Sequence, residues 1–583
     1  MAAVAVLLAA LAVALVAVSF ASYATVKARL DAFASDGNAD ISRADFDAIV
    51  VRLRIAAGAI AILAVGVYTM RLRLSRLLAG LATSSGASVR ALRLALGNAI
   101  AQESPVHLGA LALVTLAGLL VRLDFLFQPM RYDESVTYVH YASRPWYIAL
   151  TTYTAPNNHV FHSLLVHLST VVFGGAPWAI RLPAFTAGLL LVPASYITAR
   201  TLFGRNAALL TAGLVASSSV LIEYSTNARG YTLLTLDFVL LLALATHLRT
   251  STNPAEWLAF AVLAALGFWT VPVMLYAFGA VVLWLAVSIL REPQRRPLLW
   301  RLALSVVGTG VLSALLYAPI VSASGLHSLV ANEFVKSRSW SYFGNHLLHS
   351  LVSTGRGWHR DIPFPLGVLI ALGFALGVLV HRRVSRTAVP PVLAALAWIA
   401  PVVVVQRVVP FERVWLFLLP LYLMTASAGI VFALRPLAER VRRREIAAAA
   451  LVVALAASFS GTAVATQSVY HSEDTSTFRD GRYVAAFLAS KLRPGDKILV
   501  APPADAILEY WLDRRHLDPA TLLYWSWPGK TQRFLVVVKE GPHDYPLPYV
   551  LADRRLQGAR LGRPHLLHHY PGSDVYEVRR ALG

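Results

Sequence analysis

What most constrains this chain is a succession of apolar runs separated by short links in which arginine collects. A helical crossing of the bilayer core needs roughly 17 to 25 mostly apolar residues. Runs of that kind occupy residues 3–21, 53–70, 106–127, 181–199, 206–222, 230–248, 256–270, 272–290, 300–320, 363–381, 391–408, 413–433 and 446–464. They predict a mainly α, polytopic membrane protein of about thirteen transmembrane helices. Only 14% of the 583 residues are charged, 57% are hydrophobic, and the mean hydropathy is +0.60. A soluble domain carries roughly 25% charged residues, so the bilayer is expected to be the main solvent. The first run lacks a basic leader and a second run follows closely, which reads as a retained anchor.

The net charge is +21. On a soluble surface that excess would suggest nucleic acid, but here it sits in the links between apolar runs, as cytoplasmic loops do under the positive-inside rule, and no nucleic-acid partner is expected. The links holding Arg71, Arg73, Arg76, Arg90 and Arg93; Arg200 and Arg205; Arg291, Arg295 and Arg296; Arg382, Arg383 and Arg386; and Arg435, Arg440, Arg442, Arg443 and Arg444 are all assigned to the cytoplasm. Alternation satisfies them if residues 158–174 do not cross. That segment is short and holds two histidines, which suits an amphipathic helix at the outer interface. The N-terminus is then cytoplasmic and residues 465–583 form an external domain of a plasma-membrane protein. With no cysteine in the chain, disulfides, thiolate metal sites and cysteine nucleophiles are excluded.

Three regions follow. Residues 1–105 form a two-helix membrane extension with a basic cytoplasmic linker. In its outer loop Asp36, Asn38, Ser42 and Asp45 resemble the oxygen ligands of a degenerate EF-hand, with Ala34 and Ala39 at positions that ordinarily carry a ligand and a glycine. Losing both features weakens calcium binding, and a solvated helix-loop-helix without metal is the simpler expectation. Residues 106–464 form the main transmembrane domain. Residues 465–583 read as a small α/β domain, with helices at RYVAAFLASKL and AILEYWLDRR and strands at KILVAP, RFLVVVKE and DVYEVRR.

A long outer loop after residue 127 opens on adjacent carboxylates, Asp133 and Glu134. Two readings fit: a general base for an acceptor hydroxyl, or acidic residues that complement the macrodipole of a following helix. No ligand spacing identifies a metal site. Asp133, Glu134, His159 and His162 are the groups that could meet around a divalent ion, and no cofactor is expected. The loop at 321–361 carries Glu333, Lys336, Arg338, His346, His349, Arg356, His359 and Asp361 with Trp340 and Trp358, which suits sugar or headgroup contact and equally an aromatic interfacial belt.

The segments Arg131-Tyr132-Asp133-Glu134, Pro156-Asn157-Asn158-His159, Gly175 to Pro183 and Tyr224 to Tyr231, in that order, resemble the C-type glycosyltransferases, nearest to the dolichyl-phosphate-mannose protein mannosyltransferase-like branch that includes the lipid A aminoarabinose transferases. The similarity covers residues 106–435. It implies an inverting glycosyltransferase that moves a sugar from a polyprenyl-phosphate donor to a glycan, lipid or protein acceptor on the outer membrane face. By that resemblance Asp133 is the catalytic base with Glu134 beside it. Arg131, Asn158, His159, Arg229 and Tyr231 fall in substrate-binding segments, although relatives usually have His-Pro-Pro where this chain has Asn157-Asn158-His159. Arg229, within the Ser-x-x-Ala-Arg element, would hold the donor phosphate, for which a guanidinium is suited; an arginine snorkelling at the membrane edge reads the same way. Arg407 and Arg413 occupy the late turn where relatives keep a phosphate-binding arginine, and Glu412 would pair with one of them. Two rival readings are a lipid or glycan flippase and a non-catalytic envelope scaffold. A transporter would set ionisable groups near the midplane of repeated halves, whereas here the carboxylates gather in loops and no internal repeat is evident.

Overall fold

The computed structural model describes residues 1–33, 41–330, 336–441, 443–523, 531–541, 544–553, 556 and 560–581. The chain divides into two compact units, Met1–Ala99 with Asn253–Glu256, and Ile100–Thr252 with Trp257–Gly583.

In the first unit the Ala2–Val18 helix packs along the Arg43–Thr69 helix. Ser42 and Asp45, expected as relics of a calcium loop, instead form a capping box. Ser42 Oγ accepts from the Asp45 amide at 3.1 Å, and the Asp45 carboxylate accepts from the Ser42 amide at 3.2 Å. Helix initiation accounts for both residues. The other positions of that motif, Ala34, Asp36, Asn38 and Ala39, lie outside the described residues, as does Glu333.

The second unit is a helical bundle joined to an α/β layer. Among the described residues, seven helices are long and apolar enough to cross a membrane, and up to nine spans result if two bent pairs count as one each. The expectation of thirteen is therefore not met by length alone: Pro254–Thr270, Met274–Ile289, Phe364–Leu379 and Pro391–Gln406 are apolar but only 16 or 17 residues long. The run at 206–222, read as one continuous span, bends by 59° between Arg205–Ser217 and Ser219–Ser225, because Ser218 adopts an extended conformation in a run of three serines. Serine favours helix ends, since its hydroxyl competes for backbone groups. The Val160–Phe173 helix has 14 residues, short of the roughly 20 that a crossing needs.

Helices Phe364–Leu379 and Leu418–Ala438 lie against each other along much of their length. Gly373 and Gly377, four residues apart, meet Gly429: a Cβ on Gly429 would strike the Gly373 carbonyl and the Gly377 amide. Small residues at such spacing let two membrane helices approach to backbone contact, where dispersion replaces the missing hydrophobic drive.

Among the described residues the α/β layer holds one four-stranded sheet, ordered β1-β2-β4-β3, from β1 (Lys497–Val500), β2 (Arg533–Lys539), β3 (His565–Tyr570) and β4 (Ser573–Arg579). β1 and β2 are parallel, β4 runs antiparallel to β2, and β3 pairs antiparallel with β4. Both expected helices form, as Gly481–Lys491 and Ala504–Asp513. β3 was not anticipated: its sequence His-Leu-Leu-His-His-Tyr lacks strand alternation, and it sits on the sheet edge with a register shift between Leu566 and His568. The apolar core of this layer runs without a break into the bundle, since Val484, Ile498 and Ile507 share a cluster with Met130, Tyr138, Val139 and Ile180.

Gly429→Leu should separate the Phe364–Leu379 and Leu418–Ala438 helices and cost about 1–3 kcal/mol, read as a lower melting temperature in nanodiscs. Gly86→Leu, whose Cβ meets nothing within 4 Å, should leave the melt unchanged.

Candidate active site

The loop that leaves the Pro105–Leu126 helix re-enters helix at Tyr132–Thr137, and both expected carboxylates fall in its first turn. Successive helical residues point about 100° apart, and the two side chains part company. Glu134 turns inward and is fully buried. Its Oε1 accepts from the Arg131 amide at 2.9 Å, closing the helix N-terminus, and its Oε2 accepts from Arg181 Nε and from the Ala228 amide, each at 3.0 Å. Arg181 Nη2 makes a further bond to the same carboxylate. The rest of the Arg181 guanidinium holds the loop backbone, donating to the carbonyls of Leu126 and Gln128 at 2.7 Å and of Pro129 at 2.9 Å.

Asp133 faces the other way. Its Oδ1 accepts from Asn157 Nδ2 at 3.0 Å. Its Oδ2 is buried without a hydrogen bond and lies 3.9 Å from Arg229 Nε and 3.7 Å from Arg413 Nη2. Arg229 is positioned by donating to Thr137 Oγ1 at 3.2 Å and to the Asn157 carbonyl at 3.0 Å, with its guanidinium 5.7 Å from the centre of the Tyr231 ring. Arg413 also reaches Asp474 Oδ1 at 3.3 Å, and the Tyr224 hydroxyl donates to the Asp474 carboxylate. Burial pushes the Asp474 carboxyl upward, against the opposing pull of Arg413 and of the bond from Tyr224.

His159 stands at the N-terminal boundary of the Val160–Phe173 helix, next to Arg229-Gly230-Tyr231 of this cluster. Its Nδ1 accepts from the Gly230 amide at 2.7 Å, which leaves the proton of the neutral ring on Nε2, and that nitrogen is buried without a partner. The ring meets Tyr231 edge-on at 4.9 Å. Gly230 is required here, because a Cβ would lie 2.8 Å from His159 Nδ1. One turn on, His162 is wholly buried with neither nitrogen bonded, and burial, aided by Arg229, pushes its pKa down to about 3. The pKa of His159 is also driven well down, first by burial and then by Arg229, so both rings are neutral at physiological pH.

Asp133, His159, Arg229, Tyr231 and Arg413 thus gather at one end of the bundle. The other expected residues do not join them. Arg131 is buried against the segment that follows the last long helix, donating to the Ser472 and Val469 carbonyls. Asn158 pins the loop by donating to the Ala149 and Thr152 carbonyls, each at 2.8 Å. Arg407 ends the Pro391–Gln406 helix in the left-handed region and lies over Trp340. Glu412 accepts from Ser353 Oγ rather than engaging Arg413. Sequence reasoning passed over Asn157, Arg181, Tyr224 and Asp474. The first three lie inside the recognised motifs, so their neighbourhood was visible, whereas nothing local marks Asp474. Asp133, Glu134, His159 and His162 do not converge on a common point. Among the described residues the group with metal-ligand spacing is Glu540, His569 and Asp574, on the sheet of the α/β layer.

The helical bundle thus carries at one end a short helix with Asp133 and Glu134, and Arg229 and Arg413 approach the aspartate. Residues 157–322 match the family described as dolichyl-phosphate-mannose-protein mannosyltransferase. The chain superposes on ArnT from Cupriavidus metallidurans in the apo state with a TM-score of 0.54 at 16% identity, covering 80% of this chain and 98% of that one. Against the same protein bound to undecaprenyl phosphate the TM-score is 0.55, with the same identity and coverage. No curated protein sequence matches the chain. The fold is that of the C-type glycosyltransferases, as the motifs implied, and the protein is a multi-pass membrane protein.

A depressed histidine pKa makes the folded state bind fewer protons than the unfolded state between about pH 3 and the ordinary value of 6.5. Stability therefore falls as pH drops below 6.5. From His162 alone the loss between pH 7 and pH 5 is about 2 kcal/mol. His162→Phe should flatten the fall in melting temperature over that range; an unchanged pH slope would show that the ring is not a buried neutral histidine.

Proposed function

We propose that the protein is an inverting glycosyltransferase that moves a sugar from a polyprenyl-phosphate donor to a hydroxyl of an envelope acceptor. The observation that carries this reading is the Asp133 Oδ2 atom, buried, without a hydrogen bond, and within 4 Å of two guanidinium groups in a C-type glycosyltransferase fold. A polyprenyl-phosphate sugar brings its own anionic leaving group. The protein must then supply a base at the acceptor and cations at the phosphate.

In the proposed step Asp133 takes the acceptor hydroxyl proton on Oδ2, and the acceptor oxygen bonds to the anomeric carbon. The bond from that carbon to the phosphate oxygen breaks, and its electron pair leaves on polyprenyl phosphate. Arg413 and Arg229 stabilise that charge, each with an Nε that is buried and unbonded before substrate arrives. Asn157 orients the carboxylate through Oδ1. Glu134, with both oxygens engaged by protein groups, acts as a positioning residue beside Asp133 rather than as a second base. ArnT bound to undecaprenyl phosphate supports a polyprenyl-linked donor. The arginine-rich links support a site on the outer face of the plasma membrane, with the N-terminus inside and the α/β layer outside.

The test is mass spectrometry of glycolipids and glycans from cells carrying wild-type protein, no protein, or Asp133→Asn at equal level. Loss of a general base costs about 10²–10⁴ in rate, so Asp133→Asn should reproduce the deletion and accumulate polyprenyl-phosphate sugar. An unaltered glycan product would sink the assignment. Arg413→Lys keeps the charge but loses the forked donor. It should lower kcat and raise KM for donor in reconstituted vesicles, whereas Arg407→Lys should leave both unchanged.

A further inference from the structure

The helix that carries Asp133 does not end in an ordinary cap. It passes into a five-residue π-helix, Tyr138–Ala142. Such turns are rare, and they recur at functional sites because the wide turn redirects side chains and frees a carbonyl. Here the Val139 carbonyl is taken up by Arg144 Nε at 3.1 Å and by Ser143 Oγ at 3.1 Å. Against this turn lies the Ala504–Asp513 helix of the α/β layer, with Tyr510 edge-on to Tyr138 at 5.7 Å.

Between the two elements is an open cavity of about 200 Å³. Its buried floor includes Tyr138, Glu509 and Leu512, and its exposed rim Arg144, Asp513 and Asp518. The volume is that of about seven molecules of liquid water, the scale of one pyranose with its hydroxyls and well below the roughly 300–1,000 Å³ of a site for drug-sized ligands. Exposed Asp513 and Asp518 line it together with Arg144 and with Glu509, whose Oε2 lies 3.4 Å from His140 Nε2. That balance repels phosphates and uronic acids. Ionised carboxylates only accept hydrogen bonds, and so suit a ligand rich in hydroxyl or ammonium donors. Tyr138 and Leu512 add apolar surface for the carbon face of a sugar ring.

We infer that this cavity binds one neutral or amino-bearing sugar unit of the acceptor glycan, away from the reacting atoms. The inference rests on the transferase reading for the ligand's role but not for its chemistry. Affinity gained there would be spent on holding the acceptor while its hydroxyl reaches Asp133 on another face of the same helical segment. Specificity for the acceptor would then reside partly in the α/β layer.

The experiment uses full-length Asp133→Asn protein in nanodiscs, probed with printed neutral, amino and uronic-acid oligosaccharides in the presence of EDTA. A subset of the neutral or amino saccharides should bind. Binding should fall at least tenfold in Ser143→Trp, which fills the mouth from an exposed position, and in Asp513→Lys, both with unchanged melting temperature. The proposal is overturned by absence of any saccharide binding, by equal binding in both cavity variants, by preference for uronic acids, or by binding that appears only when divalent cations replace EDTA. Direct binding keeps this test apart from the chemistry. Wild-type cells that make no glycan product would refute the transferase while saccharide binding still stood; a working transferase that binds no saccharide here would refute the cavity alone.

Discussion

The buried ion pair between Glu134 and Arg181 is the interaction on which the rest of the site depends. A guanidinium and a carboxylate taken wholly out of water are costly to bury, and breaking such a pair by removing one partner costs about 3–5 kcal/mol because the other charge is stranded. Here the cost is offset by hydrogen bonds that fill the remaining donors and acceptors: three loop carbonyls on Arg181, and two backbone amides on Glu134. Those bonds join the turn after Leu126, the Tyr132–Thr137 helix, the Pro177–Leu202 helix and the Ala228 turn into one frame. Asp133 inherits its direction from that frame, because its neighbour on the same turn is fixed.

A second set of constraints presents the carboxylate to its cations. Thr137, Asn157 and Tyr231 fix Arg229, while Asp474 holds Arg413 from the segment beyond the last long helix. The result is a carboxylate with one oxygen tethered and one oxygen bare between two positive groups. Neutral His159 and His162 are buried close by. Burial keeps them uncharged, so they add no further repulsion to a site already rich in arginine.

Much of this was legible in the sequence, and the misses share a cause. Apolar runs marked a mainly helical multi-pass membrane protein, though not how many of them are long enough to cross, and the short, histidine-bearing segment before Gly174 was recognisable as too short to cross. The Asp-Glu pair was visible because carboxylates are scarce in so apolar a chain. What could not be read was division of labour between neighbours. Whether Asp133 or Glu134 faces the cations, and whether Asn157 or Asn158 touches the aspartate, depends on helical phase and on partners from distant segments. Arg407 and Arg413 were indistinguishable in sequence, yet a left-handed helix end turns the first onto Trp340 and a short 3₁₀ turn brings the second to Asp133. Asp474 follows no motif, and only the return of the chain across the bundle gives it a role. Ser42 and Asp45 mimicked metal ligands because a capping box and a calcium loop both place oxygen-bearing side chains three residues apart.

The bridge between Arg131 and Thr477, with the hydrogen bond from the Tyr132 amide to the Ser476 carbonyl, carries a consequence for how the protein is made. Arg131 also donates to the Ser472 carbonyl, 341 positions later in the chain. While the ribosome is still inserting the intervening helices, the backbone groups that will fix the Asp133 loop have not yet been synthesised. The loop therefore reaches its final form only after the last long helix is in the membrane and the segment behind it has emerged. A truncated or stalled chain, even one with every motif of the aspartate loop intact, would lie in the membrane with that loop unfastened.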